Sequence, residues 1–202
     1  MCNLSNKKIM VAGNGISGKG AAFALKKIGA YFNVCEGDFE REIEENDYSL
    51  IVVSPGISSD STLFSAAKSK NIPVIAEIEL GYLLNNGKIL AVTGTNGKTT
   101  VAQMAALMLG EKHRVALCGN IGRSFSEVAS LGGYEIAVVE VSSFQLETVH
   151  KFHPDVAVLT NISEDHLDRH GSMERYIALK KKIAENMTSG DTLVLSQDGI
   201  PI

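Results

Sequence analysis

Short apolar runs alternate with longer amphipathic stretches along almost the whole chain. Residues 9–12, 31–35, 50–54 and 73–75 are apolar runs of strand length. Helical spacing follows them at about 20–28, 62–70 and 77–84. Strands that alternate with helices predict parallel sheets covered by helices, an α/β fold. The pattern pauses at Asn85-Asn86-Gly87, a polar stretch with a glycine that reads as a linker. It then resumes, with strand runs at 88–92, 114–117, 135–141, 155–159 and 192–195 and helices at about 101–108 and 173–187. We therefore expect two α/β domains, 1–87 and 88–202. The second has few strands and no helix after the last. Parallel strands need neighbours and cover on both faces, so this domain is expected to continue past residue 202.

Composition narrows the class. The 202 residues suit two small domains or one large one, and 45% hydrophobic residues can build a real core. A net charge of −4 argues against a nucleic-acid partner, for which a basic patch is expected. It leaves room for anionic ligands in a local glycine-rich loop. Cys2, Cys35 and Cys118 are odd in number and widely spaced, which points to a reduced, intracellular protein. No apolar run is long enough to span a bilayer, and no secretory segment precedes the first strand. The expected address is the cytoplasm, with no membrane partner.

The candidate chemistry lies where apolar runs end. Residues 92–100 read Val-Thr-Gly-Thr-Asn-Gly-Lys-Thr-Thr, between a strand-like and a helix-like run. Strand, glycine turn and helix build a polyphosphate cradle. Turn amides from Gly94, Thr95, Asn96 and Gly97 and the helix N-terminus at Thr99 and Thr100 face the phosphates. Lys98 adds a cation, and the Thr99 hydroxyl can ligate Mg²⁺. The general pattern has a glycine five residues before Gly97; here that position is Val92. Gly13-Asn14-Gly15-Ile16-Ser17-Gly18 follows the first strand and Glu36 ends the second, the spacing of a diphosphate turn with a sugar-binding carboxylate. Taken alone, that motif also suits a nicotinamide or flavin nucleotide.

Glu140 ends the apolar strand run 135–141, where a carboxylate beside a triphosphate is a natural Mg²⁺ ligand. Asn161-Ile162-Ser163-Glu164-Asp165-His166-Leu167-Asp168-Arg169-His170 follows another strand run and packs carboxylates and imidazoles around one turn, as a metal or phosphate site does. His113, His150 and His153 lack such company. Lys180 shares one helix face with Tyr176, Ile183 and Met187, whereas Lys181 and Lys182 point elsewhere. A lysine on an inward face either snorkels to water or is paired or chemically modified. Both readings stay open at this point.

Together these segments resemble the Mur ligases of bacterial cell-wall synthesis, and most of all the branch that adds D-glutamate. The resemblance runs through Gly-Asn-Gly-Ile-Ser-Gly, Ser-Pro-Gly-Ile, Thr-Gly-Thr-Asn-Gly-Lys-Thr-Thr, Gly-Asn-Ile-Gly, Glu-Val-Ser-Ser-Phe-Gln-Leu-Glu and Asn-Ile-Ser-Glu-Asp-His-Leu-Asp-Arg-His. Gly-Thr-Asn-Gly-Lys-Thr is shared with folylpolyglutamate synthases; Ser-Ser-Phe-Gln-Leu-Glu beside the first glycine motif is more specific. The resemblance implies a Rossmann-like substrate domain followed by part of a P-loop-type ATP-binding domain. It implies a monomer that joins D-glutamate to UDP-N-acetylmuramoyl-L-alanine with ATP and two Mg²⁺ ions, by way of an acyl phosphate. Gly94 through Thr100 would hold ATP. Thr99 and Glu140 would ligate one Mg²⁺ and His166 a second. Lys180 matches a lysine carbamylated by CO₂ that serves the metals, and Lys98, Asn120, His166 and Lys180 would form the catalytic set. Gly15, Ile16, Ser17, Glu36 and Asn120 would contact a UDP-sugar, so the first glycine motif would not bind NAD. Gly37-Asp38 stands where relatives carry Thr-Arg for the diphosphate. The resemblance also implies that the rest of the ATP domain and the C-terminal domain are missing, so that the chain alone would not complete ligation. A dinucleotide oxidoreductase and a non-catalytic UDP-sugar module are the rival readings.

Overall fold

The computed structural model describes residue 4 and residues 6–196; Cys2 and the stretch 198–202 lie outside the described residues. In chain order the first elements are β1 (Lys8–Ala12), α1 (Ile16–Lys27), β2 (Tyr31–Cys35), α2 (Phe39–Glu44), β3 (Leu50–Val53), α3 (Thr62–Ser69), β4 (Val74–Ala76) and α4 (Glu77–Leu84). Next come β5 (Lys88–Thr93), α5 (Lys98–Gly110), β6 (Val115–Gly119), α6 (Phe125–Leu131), β7 (Ile136–Glu140) and β8 (Val156–Leu159). The last are α7 (Leu167–His170), α8 (Met173–Lys181) and β9 (Thr192–Leu195). Packing divides them into two compact units. One holds the described residues up to Asn85 together with Ser124–Leu131 and Glu147–His150; the other holds Asn86–Arg123, Gly132–Leu146 and the described residues from Lys151 onward.

The first unit is a four-stranded parallel sheet in the order β2-β1-β3-β4. Side chains alternate across a strand, so β1 feeds two cores. Met10 and Ala12 join Ile51, Val53, Ile43 and Leu63 on the face covered by α2 and α3. Ile9 and Val11 join Leu50, Val52, Leu25 and Leu80 on the face covered by α1 and α4. Burial on both faces explains why these strands read as unbroken apolar runs. Helix α1 begins at Ile16, four residues before the sequence reading placed it. Gly18 and Gly20 look like turn residues but lie inside the helix. A Cβ on Gly18 would overlap the Gly13 carbonyl, and one on Gly20 would overlap Ser124 Oγ. Glycine here permits close packing.

Helix α6 packs on α1 and α4, within the same unit. Phe125 seats against Gly81, where a Cβ would come within 2.6 Å of its ring. The Ser126 amide donates to Glu77 Oε1 at 2.6 Å, and Glu77 is fully buried. Burial, the dominant cause, raises the Glu77 carboxyl above the ordinary glutamate range; Ser126 and Ser124 oppose that shift and Glu127 adds to it. The native state therefore holds this proton more tightly than the unfolded chain does. Its contribution to stability is full below the ordinary glutamate pKa and is lost as pH rises. Glu77→Gln keeps an acceptor for Ser126 and removes that loss. The variant's unfolding midpoint is expected to overtake that of the wild type as pH is raised from about 4 to about 8.

The second unit is a five-stranded parallel sheet in the order β6-β7-β5-β8-β9. Strand β5 is central, with Ala91 and Val92 fully buried. The chain leaves β5 toward β6 and β7 on one side, and β8 lies on the other. The carboxyl end of β5 is therefore a crevice of the kind in which open α/β sheets bind ligands. The helix expected over 173–187 is shorter: α8 ends at Lys181 and continues as a 3-10 turn, Lys182–Ala184. Among the described residues, no helix is long and apolar enough to cross a membrane.

Candidate functional site

The turn after β5 departs from ordinary backbone at its two glycines. Gly94 has φ +147° and Gly97 has φ +78°, the second as the N-cap of α5. No acidic residue lies in the first turn of α5, so its unpaired amides meet no competing negative charge from that turn. Asn96, Gly97, Thr99 and Thr100 are exposed, so the cradle opens to solvent. The loop after β8 braces it. Asn161 accepts the Thr95 amide on its carbonyl and the Asn96 amide on Oδ1, both at 2.9 Å, and its Nδ2 donates to Asn96 O at 3.0 Å. The Thr160 hydroxyl also donates to Asn96 O, at 2.7 Å. Lys98 folds back over the turn, donating to Gly94 O at 3.1 Å and Thr95 O at 2.8 Å.

Glu140 closes the mouth. It is 1% exposed, accepts the Thr99 hydroxyl on Oε2 at 2.7 Å and accepts Asn120 Nδ2 on Oε1 at 2.9 Å. Three of the residues singled out in the sequence thus converge. Strand register explains it: Glu140 pairs with Val92 on β5 and with Gly119 on β6, which sets it between the phosphate turn and Asn120. A buried carboxylate held by neutral donors next to a hydroxyl suits a hard cation such as Mg²⁺.

Lys180 resolves toward the interior. It is 2% exposed, and its Nζ donates to Gly94 O at 2.7 Å and lies 4.7 Å from the centre of the Tyr176 ring. Burial and the nearby Lys98 charge pull its ammonium down to about 7, with Asp165 opposing. Two lysines therefore share one glycine carbonyl at the base of the phosphate turn. As an amine that donates to Gly94, Lys180 does not itself suit a metal; as an anionic carbamate it would. Tyr176 caps the same region, its hydroxyl 3.1 Å from Thr95 Oγ1, and burial raises its pKa.

The turn 161–170 is partly helical rather than a loop throughout. His166 has φ +52° and caps α7, and its contacts are with Asp165 at 3.4 Å and the Phe144 ring at 5.0 Å. It is exposed, whereas His170 is 1% exposed and pairs with Ser143 Oγ at 3.0 Å. Burial, followed by the charge of Arg169, lowers the His170 pKa. Among the described residues, no three His, Cys, Asp or Glu side chains converge as a metal cluster. Asn161 and His170 fall in the turn that the sequence marked as a metal or phosphate site, but the bonds of Asn161 to the phosphate turn, of Tyr176 to Thr95 and of Ser143 to His170 were not foreseen. The partners lie 27 to 81 positions apart, and no local spacing announces such contacts. His153 pairs with Asp191, and His150 meets Val74 O, away from this site.

In the first unit, Gly13 has φ +90° and its amide donates to Cys35 O at 2.8 Å. Gly15 caps α1 without a side-chain bond, no acid lies in the first turn, and Ile16 is 73% exposed. Glu36 is exposed just past β2, beside the turn. Ser17 is half-buried in the first turn of α1.

The profile of the Mur ligase middle domain matches residues 92–200. The chain is 40% identical to a UDP-N-acetylmuramoylalanine–D-glutamate ligase of Lachnospira eligens, covering 96% of this chain and 48% of that protein. It is also 40% identical to the ligase of the same name from Streptococcus sanguinis, covering 97% and 49%. The chain thus spans about half the length of the curated relatives it matches. Among solved structures, a UDP-N-acetylmuramate:L-alanyl-gamma-D-glutamyl-meso-diaminopimelate ligase from Neisseria meningitides aligns with a TM-score of 0.61 at 18% identity, over 95% of this chain and 72% of that one. A UDP-N-acetylmuramate-alanine ligase from Thermotoga maritima aligns with a TM-score of 0.53 at 23% identity, over 96% and 50%. These two likenesses speak to the fold, two parallel α/β sheets, and the profile match speaks to descent. With the phosphate turn on β5 and its carboxylate on β7, the chain belongs to the Mur ligase family.

Proposed function

We propose that this chain carries the substrate-binding and phosphate-binding parts of a cytoplasmic ligase that uses ATP to join D-glutamate to UDP-N-acetylmuramoyl-L-alanine. The observation that carries the reading is the convergence of Thr99, Glu140 and Asn120 at the mouth of the phosphate turn, over a base formed by Lys98 and Lys180. In this reading residues 1–87 form the UDP-sugar domain and 88–202 part of the ATP domain. The diphosphate lies on the α1 N-terminus at Gly15, Ile16 and Ser17, with Glu36 near the sugar.

The reaction has two steps. A carboxylate oxygen of the substrate attacks the γ-phosphorus of ATP, the bond to the bridging oxygen breaks, and ADP leaves. The amine of D-glutamate then attacks the acyl carbon and loses a proton, and phosphate departs with the carbon–oxygen bond. The protein supplies position and charge. Turn amides from Gly94 to Thr100 hold the β- and γ-phosphates, and Lys98 swings from its carbonyls onto the γ-phosphate. Asn120 orients the acyl group. Thr99 and Glu140 would hold one Mg²⁺ and His166, with a carbamylated Lys180, a second; such ions neutralise the charge on the phosphates. A lysine pulled down to about 7 presents a substantial share of free amine near neutral pH, whereas an ordinary lysine presents almost none, and only the free amine adds CO₂, losing a proton to become a carbamate. The enzyme acts as a monomer, with no nucleic-acid or membrane partner.

Calorimetric titration of this chain with UDP-N-acetylmuramoyl-L-alanine, with NADH run alongside, tests the proposal. Saturable binding of the UDP-sugar and none of NADH is expected. Binding of NADH alone would overturn it in favour of an oxidoreductase.

A further inference from the structure

We propose that Ser143 and His170 form a positioning pair that locks the turn after β7 onto α7 and thereby presents His166 to the phosphate site. The inference rests on the role proposed above for His166.

Ser143 is 3% exposed and follows Glu140 by three residues. Its turn is closed locally: the Ser142 amide and hydroxyl both meet Gln145 Oε1, at 3.0 and 3.1 Å. Ser143 then reaches 27 positions along the chain to His170 Nε2 at 3.0 Å. Both side chains are buried, where an unmade hydrogen bond is costly. Phe144, the next residue, is the hub of the same joint. The His170 ring stacks on it at 5.1 Å, the His166 ring leans on it at 5.0 Å, and the Arg169 guanidinium lies 4.1 Å from its centre. His170 also abuts the Tyr176 ring at 5.2 Å, and Tyr176 bonds Thr95 of the phosphate turn. One buried imidazole therefore ties three segments together: the turn carrying Glu140, the turn carrying His166, and the phosphate turn.

The joint has something to hold. His166 sits at φ +52°, a left-handed conformation that a histidine adopts at a cost. The α7 turn retains it there, since His166 O accepts the amides of Arg169 and His170 at 3.1 and 3.0 Å. The Ser143 hydroxyl in turn fixes the far end of that turn through His170. The pair reaches the phosphate turn by way of the Tyr176 ring and its bond to Thr95, so both residues act through their neighbours.

Two readouts test the pair in this chain. The first needs no ligand: the ring-proton resonances of His166 are followed by NMR in wild type, Ser143→Ala and His170→Phe. The second is the affinity for Mn²⁺ in the presence of ADP. Loss of the hydroxyl is expected to shift the His166 resonances toward those of an unstructured histidine, with the thermal midpoint lowered by a few degrees and the chain still folded. Mn²⁺ affinity should fall about 10-fold or more, the usual effect of removing an outer-shell support. The same Ser143→Ala change made in a His166→Ala background should cost no further affinity. His170→Phe keeps a ring against Phe144, and the double variant should behave like either single one. Unmoved His166 resonances in both variants would overturn the proposal, as would an undiminished loss in the His166→Ala background. If the chain binds no Mn²⁺ with ADP, the metal reading of the site fails, and the NMR shifts alone decide whether the pair positions His166.

Discussion

Gly94→Ala is expected to destabilise the chain by about 3 kcal/mol or more, whereas Gly97→Ala, three residues later, should cost about 1–2 kcal/mol. Both glycines have positive φ, so both substitutions carry backbone strain. They differ in surroundings. A Cβ on Gly94 would overlap Thr160 Oγ1 and stand 3.1 Å from Asn161 O; a Cβ on Gly97 meets nothing within 4 Å. Thr160 cannot simply turn away, because its hydroxyl is donated to Asn96 O. The carbonyl of Gly94 also receives both Lys98 and Lys180, so any shift there unseats two ammonium groups. Urea unfolding midpoints of the two variants check this. Equal losses would show that the brace between the β5 turn and the β8 loop is softer than its hydrogen bonds imply.

Lys180→Met is expected to stabilise the unliganded chain at neutral pH, and the gain should shrink as the solution is made alkaline. The Lys180 pKa is depressed to about 7 in the native state, against an ordinary lysine value of 10.5. Between those values the unfolded chain binds more protons than the folded one, so wild-type stability rises with pH there. Below about 7 the full penalty of the buried ammonium is present; above 10.5 none of it is. The difference between variant and wild type should follow that curve, reaching at most several kcal/mol on the acid side. Methionine gives up the bond to Gly94 O and the contact with the Tyr176 ring, so the gain will fall short of the full shift. Thermal midpoints measured across the alkaline range give the answer. A difference that does not vary with pH would mean that Lys180 titrates alike in the folded and unfolded chain, at the ordinary lysine value, and stays an ammonium near neutral pH. That result would also remove the free amine on which carbamylation depends.

Strands β1, β3 and β7 were legible because burial on both faces leaves little but apolar side chains in them, whereas the edge strands β2 and β9 kept apolar runs although much of their surface is exposed. Residues 31–35 and 77–84 carried their element bounds openly in the sequence. Helix α2 escaped because it is six residues long and buries only Ile43. Helix α6 escaped for a similar reason: seven residues give too short a stretch for a 3.6-residue period to stand out. The start of α1 was misplaced because glycine is ambiguous in sequence, serving the turn at Gly13 and the close helix contact at Gly18. In the site, helical spacing put Lys180 on an inward-facing side of its helix and left open whether it snorkels to water or stays buried. The i, i+4 and i+7 set of Tyr176, Lys180 and Ile183 is buried as a face, with exposures of 1%, 2% and 1%. What spacing could not reveal was tertiary pairing, such as Tyr176 with Thr95 or Ser143 with His170.

The composition of the first unit also dictates an order of events during synthesis. Residues up to Asn85 are made first, but α6, which fills the face of α1 and α4, begins about forty residues later at Phe125. At typical elongation rates that is a wait of roughly 2–8 s. Through that interval the seat of Phe125 on Gly81 stays open, and the buried carboxyl of Glu77 faces water. The newborn chain is then most exposed to sticking and to chaperones, and slow decoding between residues 86 and 123 would lengthen the exposure.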